Sequence, residues 1–285
     1  MRFVLGAILF TVIGAARPAL AQSNDSAAVV ATVTRFFDGM RTQDTALIRS
    51  TVTEGATLLS TGGPSGVASR ETMEGFIAMV GKATGPMWDE QIVAPVVRID
   101  GPFASVWTRY TFTLGTTFSH CGVGAVHLVR VGEAWKIRHM SDSRRNAGCP
   151  DAASQDEAPG ALAASQAFLD GLNARDTAAI RRVVDSGAVL LVAGGPNGVS
   201  SRTEIGELLS WLATSTDRFD ERMVQPEVRV DGPLAEVWAP YTFGLNGAFS
   251  HCGADGFQLA KGAEGWKVVL LTYNTRREGC ESLRR

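Results

Sequence analysis

FSHCG stands at residues 118–122 and again at residues 249–253. Its recurrence in a chain of 285 residues asks whether the sequence is written twice, and reading outward from the two copies shows that it is. From Asp100 to Cys149 the chain aligns without a gap on Asp231 to Cys280, and 22 of those 50 positions are identical, including DGP, YTF and the closing Gly-Cys. Upstream, DTALIR (44–49) matches DTAAIR (176–181), and GGPSGVASR (62–70) matches GGPNGVSSR (194–202). The offset is 132 in these blocks and 131 afterwards, so one residue was gained or lost near residues 81–90. A period this long is a whole domain and not a solenoid repeat.

DAASQDEAPG (151–160) lies between the copies, small, acidic and proline-containing, and reads as an exposed linker. The expected domains are therefore 26–150 and 161–285. Ahead of them, Arg2, an apolar run from Phe3 to Ala16 and Ala19-Leu20-Ala21 give a signal peptide over 1–21. The run is shorter than the ~20 apolar residues a spanning helix needs. The expectation is an exported chain, periplasmic or secreted, with no membrane attachment after cleavage. Its mature form holds 25 basic against 29 acidic residues, which gives no electrostatic footprint for nucleic acid. In an oxidising compartment disulfides persist. Four cysteines allow three pairings, and the repeat selects Cys121–Cys149 with Cys252–Cys280, because each domain then closes on itself.

Within each copy the order of elements is the same. Val29, Val33, Phe36, Phe37 and Met40 recur at helical spacing over 26–43. DTALIRSTV opens on an Asp N-cap and predicts a second short helix, and Arg70 to Lys82 a third. Two short strands surround GGPSG, and strands follow near 92–100, 103–114, 118–131 and 134–144. Helices first and a meander after them predict an α+β fold, with helices packed on one face of a curved, mostly antiparallel sheet. With an opening FFDGM or FLDGL helix followed by D-T-A, a central YTF strand and a last strand carrying Trp-Lys-Ile or Trp-Lys-Val, each half resembles a nuclear transport factor 2-like domain of the SnoaL-like group. The resemblance implies tandem cone-shaped domains, each with an apolar pocket. It implies no particular reaction, since one fold hosts many chemistries. The steroid-isomerase-like members use a tyrosine on the first helix, where Phe36 and Phe37 stand.

FSHCG itself is not a nucleophile pair. Neighbours on a strand face opposite ways, which separates His120 from Cys121 and His251 from Cys252. No metal is expected, as there is no C-x-x-C and no H-x-x-x-H, and no cofactor either. Asn246-Gly247 is a hairpin signal, and a two-residue turn there pairs Leu245 with Ala248 and Thr242 with His251. That register puts His251 on one face with Trp238, and His120 with Trp107. Tyr110 and Tyr241 then fall on the other face with Phe112 and Phe243, unless a β-bulge resets the alternation.

The expected ligand-binding residues are Trp107, His120 and Arg70 in the first copy and Trp238, His251 and Arg202 in the second, the arginines opening the third helix of each copy. The alternative for each histidine is a hydrogen-bonded strand end, and for each arginine a surface ion pair. Catalytic candidates are His120, His251, His139 and Asp142. The last two become Leu270 and Tyr273 in the second copy, as His127 becomes Gln258 and Arg109 becomes Pro240. The functional expectation is a protein that binds a small apolar or aromatic molecule without cofactor. Its alternative is a cofactor-free isomerase, dehydratase or cyclase with a pocket histidine as base. A further expectation is that the two domains form an internal pseudo-dimer.

Overall fold

The computed structural model describes residues 17–149 and 155–284. Most of the expected signal segment lies outside the described residues, and Gln22 falls within the first helix, α1 (Arg17–Thr42). Val29, Val33, Phe36, Phe37 and Met40 form the buried stripe of α1, as their spacing predicts. Gln43 then takes a left-handed turn at φ 57°, and Asp44 caps α2 (Thr45–Thr51) by accepting from the Leu47 N–H at 2.8 Å. Next come β1 (Val52–Gly63), β2 (Gly66–Thr72), α3 (Met73–Lys82), β3 (Trp88–Asp100), β4 (Phe103–Leu114), β5 (Thr117–Val131) and β6 (Ala134–Asp142). The sheet order is β2-β1-β6-β5-β4-β3, antiparallel throughout except for the parallel β1/β6 pair.

The second copy repeats this with α4 (Ala158–Ala174), α5 (Thr177–Val183), β7 (Val184–Ala193), β8 (Val199–Glu204), α6 (Ile205–Thr214), β9 (Phe219–Met223), β10 (Glu227–Asp231), β11 (Leu234–Leu245), β12 (Ala248–Gly262) and β13 (Gly265–Asn274). Its helix α4 starts at Ala158, inside the stretch read as linker, because Pro159 suits a first helical turn. Strands β9 and β10 together stand where the first copy has the single strand β3. Gln225 before Pro226 has positive φ, and so has Ala94 before Pro95, where β3 only shifts register. Cys121–Cys149 and Cys252–Cys280 are both disulfide-bonded.

Each sheet has a face covered by its own helices and a face turned to the other copy. The helix-side cores are separate, one built around Phe36, Ile77 and Leu128, the other around Phe168, Leu209 and Leu259. On the opposite faces the copies meet, and the contacts come in exchanged pairs. Phe103 packs on Trp238 with ring centroids 4.9 Å apart, while Trp107 clusters with Leu234, the counterpart of Phe103. Arg145 pairs with Asp231, and Arg276 with Asp100 at 3.1 Å. His127 Nδ1 lies 2.9 Å from Thr272 Oγ1, and the counterpart contact is Ser141 Oγ donating to Gln258 Oε1 at 2.6 Å. These buried polar groups are partnered across the contact, as burial without partners would be costly, and each fully buried large apolar side chain stabilises by about 1.5–3 kcal/mol.

Candidate functional site

Hairpin register decides what the repeated histidines can do. Leu245 pairs with Ala248 as the turn predicts, and Gly244 with Phe249. Then the register shifts, and His251 pairs with Phe243 instead of Thr242. The first copy does the same: Phe118 pairs with Thr113, and His120 with Phe112. Ser119 and Ser250 are the extra residues of two β-bulges, and an extra residue sends every later side chain to the other face. This corrects the expected grouping. His120 and His251 do not share a face with Trp107 and Trp238; they lie with Tyr110 and Phe112, and with Tyr241 and Phe243. Both tryptophans are in the contact between the copies and line no helix-side pocket. The histidines do point away from the disulfides, for Cys121 pairs with Thr111 on the far face.

On the helix side of the first sheet lies a cavity of about 420 Å³. Phe36, Phe37 and Met40 of α1, with Phe76 and Met79 of α3, form its apolar wall. Across from them the sheet contributes Glu90, Tyr110, His120 and Asp142, with Arg144 just beyond β6. Glu90 and His120 both pair with Phe112, on either side of β4, so they stand two strands apart and about 10 Å from backbone to backbone. Phe112 is the floor between them, its ring 4.8 Å from the His120 imidazole.

The polar end is organised around Asp142. It accepts from Ser60 Oγ at 2.6 Å and from Arg144 Nε at 2.5 Å, and the Tyr110 hydroxyl lies 3.3 Å away. Tyr110 donates more closely to the Ser143 carbonyl, at 2.9 Å. Burial, then the Asp142 charge, raises the Tyr110 phenol well beyond its ordinary value, so it stays protonated. Glu90 keeps some accessible surface where it lines the cavity, yet its carboxyl lies deep among protein atoms. That burial, reinforced by Asp142, pushes its pKa up to about 8. Burial and then the Arg144 charge lower the His120 pKa. At neutral pH the cavity thus offers a protonated carboxyl and a neutral imidazole, one able to donate and the other to accept.

His120 and Asp142 were expected from the sequence; Glu90, Tyr110 and Arg144 were not. Glu90 sits in a stretch read as loop, and its environment comes from elements distant in the chain. One signal was available: Glu221, Tyr241 and His251 repeat Glu90, Tyr110 and His120 at one offset. His139, placed beside Asp142 on the final strand, points to the other face. Its Nδ1 is 2.7 Å from Thr57 Oγ1 and its Nε2 2.9 Å from Ser141 Oγ.

In the second copy the equivalent site is rebuilt. Tyr273 replaces Asp142 and packs against the core, Trp211 replaces Met79, and Asp255 replaces Gly124. Asp255 is fully buried beside Glu221, and burial, then the Glu221 carboxylate, raises its pKa. His251 stacks on Phe243 at 4.7 Å and borders a separate cavity with Arg276 and Arg277.

Arg70 and Arg202 do not open helices; they lie on β2 and β8, paired with Leu59 and Leu191, while Thr72 and Glu204 occupy the helix N-caps. They border a second cavity, of about 330 Å³, between the copies. Arg70 is ion-paired with Asp185 and Arg202 with Glu204. No group of His, Cys, Asp and Glu fit to hold a metal occurs among the described residues.

The structure thus defines a tandem α+β protein with a pocketed first copy. No protein-family model matches the chain, and no curated protein matches it. Similar solved structures include nuclear transport factor 2-like proteins, and the following three structures each span about half of this chain. One, of unknown function, is from Shewanella baltica: 12% identity, 44% of this chain and 97% of that one, TM-score 0.36. Another, from Silicibacter pomeroyi and also of unknown function, has 17% identity over 44% of this chain and 98% of that one, TM-score 0.34. A protein of unknown function from Mycobacterium tuberculosis has 16% identity over 51% and 87%, TM-score 0.42.

Proposed function

We propose that the first copy binds a small, largely apolar molecule bearing one hydrogen-bond-accepting group, and that the second copy is its partner in an internal pseudo-dimer. The observation that carries this is the cavity of about 420 Å³, apolar on its helix side and facing Glu90 on its sheet side. With a pKa of about 8, Glu90 is mostly protonated at neutral pH and can donate to a ligand carbonyl or hydroxyl. Apolar walls with a few convergent polar groups are the usual composition of a ligand site. Two disulfides and the N-terminal pattern support export, and no helix among the described residues is long and apolar enough to cross a membrane.

Proton transfer is a second reading, favoured by a neutral imidazole and a protonated carboxyl facing the same cavity. Here His120 would take a proton from a carbon beside a carbonyl while Glu90 donates to the carbonyl oxygen, an isomerase-type or dehydratase-type step without cofactor. The test uses prodan, a neutral fluorescent ketone. Titration of the full chain should show one saturable site, abolished by Met79→Trp, which installs the residue of the second copy. Absence of binding, or binding indifferent to Met79→Trp, rejects the pocket. Loss of the ketone α-proton signal in D2O, dependent on His120, would establish turnover; an unchanged signal leaves binding alone.

A further inference from the structure

The cavity between the copies has one lining residue that the fold does not account for. Arg138 is only 6% exposed, yet it makes no ion pair among the described residues. Its single hydrogen bond there runs from Nη1 to the Glu54 carbonyl at 2.8 Å, and its buried Nε has no partner. A buried guanidinium without a counter-charge is costly, and such groups are ordinarily paired. The nearby acids do not balance it: Asp185 and Glu204 are paired with Arg70 and Arg202, and Arg202 adds repulsion. Nor does the scaffold require a cation at this place. Position 138 corresponds to Val269 in the second copy, on the same sheet position and lining the same cavity.

The cavity walls differ in character. The first copy contributes Thr57, Arg138 and His139, and the second places Val189, Val269 and Leu270 opposite. Burial, followed by His127, Arg70 and Arg138, keeps the His139 pKa well below its ordinary value, so the ring does not compete as a cation. Of the acids at the rim, Glu204 is held by Arg202 and Glu71 is exposed. We propose that this cleft binds a small amphipathic oxyanion, a carboxylate or phosphate on an apolar body, with Arg138 as the anchor for the head group. The planar fork of arginine suits either head group, and the apolar wall takes the body. This site is separate from the Glu90 pocket, so either assignment can fail without the other.

Calorimetric titration of the full chain at pH 7 and matched ionic strength, with benzoate, phenyl phosphate and uncharged benzyl alcohol, tests it. One or both anions should bind at a single site, and which of them binds identifies the head group. Arg138→Val, copying the second copy, should weaken the anion about tenfold or more without weakening benzyl alcohol. Met79→Trp should leave the anion affinity unchanged. In buffer free of organic anions, Arg138→Val should melt no lower than wild type, since an unpaired buried charge is lost. Should Arg138→Val fail to fold, Arg138→Met keeps the aliphatic stem and carries the same expectation. Failure of both anions to bind wild type, or binding that survives loss of the guanidinium, overturns the proposal.

Discussion

Replacing Glu90 by Gln tests the central electrostatic feature of the first copy. Burial and Asp142 raise its pKa from 4.5 to about 8, so between these values the native chain holds a proton that the unfolded chain has released. The sign follows from linkage: stability falls with rising pH wherever the native state binds more protons. The contribution is full below the unfolded pKa and is lost as pH climbs through the folded one. Each pH unit inside the window is worth about 1.4 kcal/mol. From pH 5.5 to 7.5 the wild type therefore loses up to about 2.5 kcal/mol that the Gln variant, a permanent neutral donor, does not lose. Solvent reaching Glu90 through the cavity mouth reduces this to about 1–2 kcal/mol. Urea unfolding of both proteins at pH 5.5, 6.5 and 7.5 gives the difference. The buried Glu221–Asp255 pair titrates too, but it is common to both chains and cancels. A flat difference across the window would mean that Glu90 ionises as an ordinary surface carboxyl, and the donor role assigned to it would fall.

Arg145→Ala should cost about 3 kcal/mol, because it strips the counter-charge from a carboxylate, Asp231, whose side chain is 2% exposed. Each carboxylate keeps one other donor, Ser143 Oγ for Asp231 and Asn274 Nδ2 for Asp100, so Arg276→Ala should cost clearly less only because Asp100 is 17% exposed; equal effects in chemical denaturation would contradict this account of the contact between the copies. His120→Ala should weaken prodan binding and His251→Ala should leave it intact, with similar losses of melting temperature, since each imidazole packs on its facing phenylalanine. The reverse pattern would move the site to the second copy.

The fold was legible because its signals are local or repeated. The stripe from Val29 to Met40, the Asp44 cap, the strand boundaries at Asp100-Gly101-Pro102 and both disulfides follow from spacing and duplication, and the structure has them where the spacing puts them. The site was less legible. One inserted serine in each hairpin reverses every side chain after it, and nothing in FSHCG marks Ser119 or Ser250 as the bulged residue. The face of His120 was therefore misjudged relative to Trp107, from a turn that was itself read correctly. Glu90 escaped notice because its pKa depends on Asp142, which lies 52 positions away in the chain and three strands further across the sheet. Arg70 and Arg202 were misplaced by three residues, enough to turn a helix N-terminus into a strand facing the other copy.

Both faces of each sheet keep some residues from the duplication and change others. A residue in the contact between the copies answers to the facing copy as well as its own. Asp100 and Asp231, and Arg145 and Arg276, form two exchanged ion pairs and remain the same in both copies. A pocket residue answers only to its own domain. Asp142 could become Tyr273, Gly124 become Asp255 and Met79 become Trp211 without cost to the first copy's cavity. The buried polar core of the contact tolerates a paired exchange: His127 with Thr272 at one place corresponds to Gln258 with Ser141 at the other. Arg138 faces the shared cleft as a charge with Val269 as its counterpart and no group among the described residues to balance it. A position free to drift would be expected to lose such a charge, since its burial is unfavourable. Its presence there is what an external anion would explain.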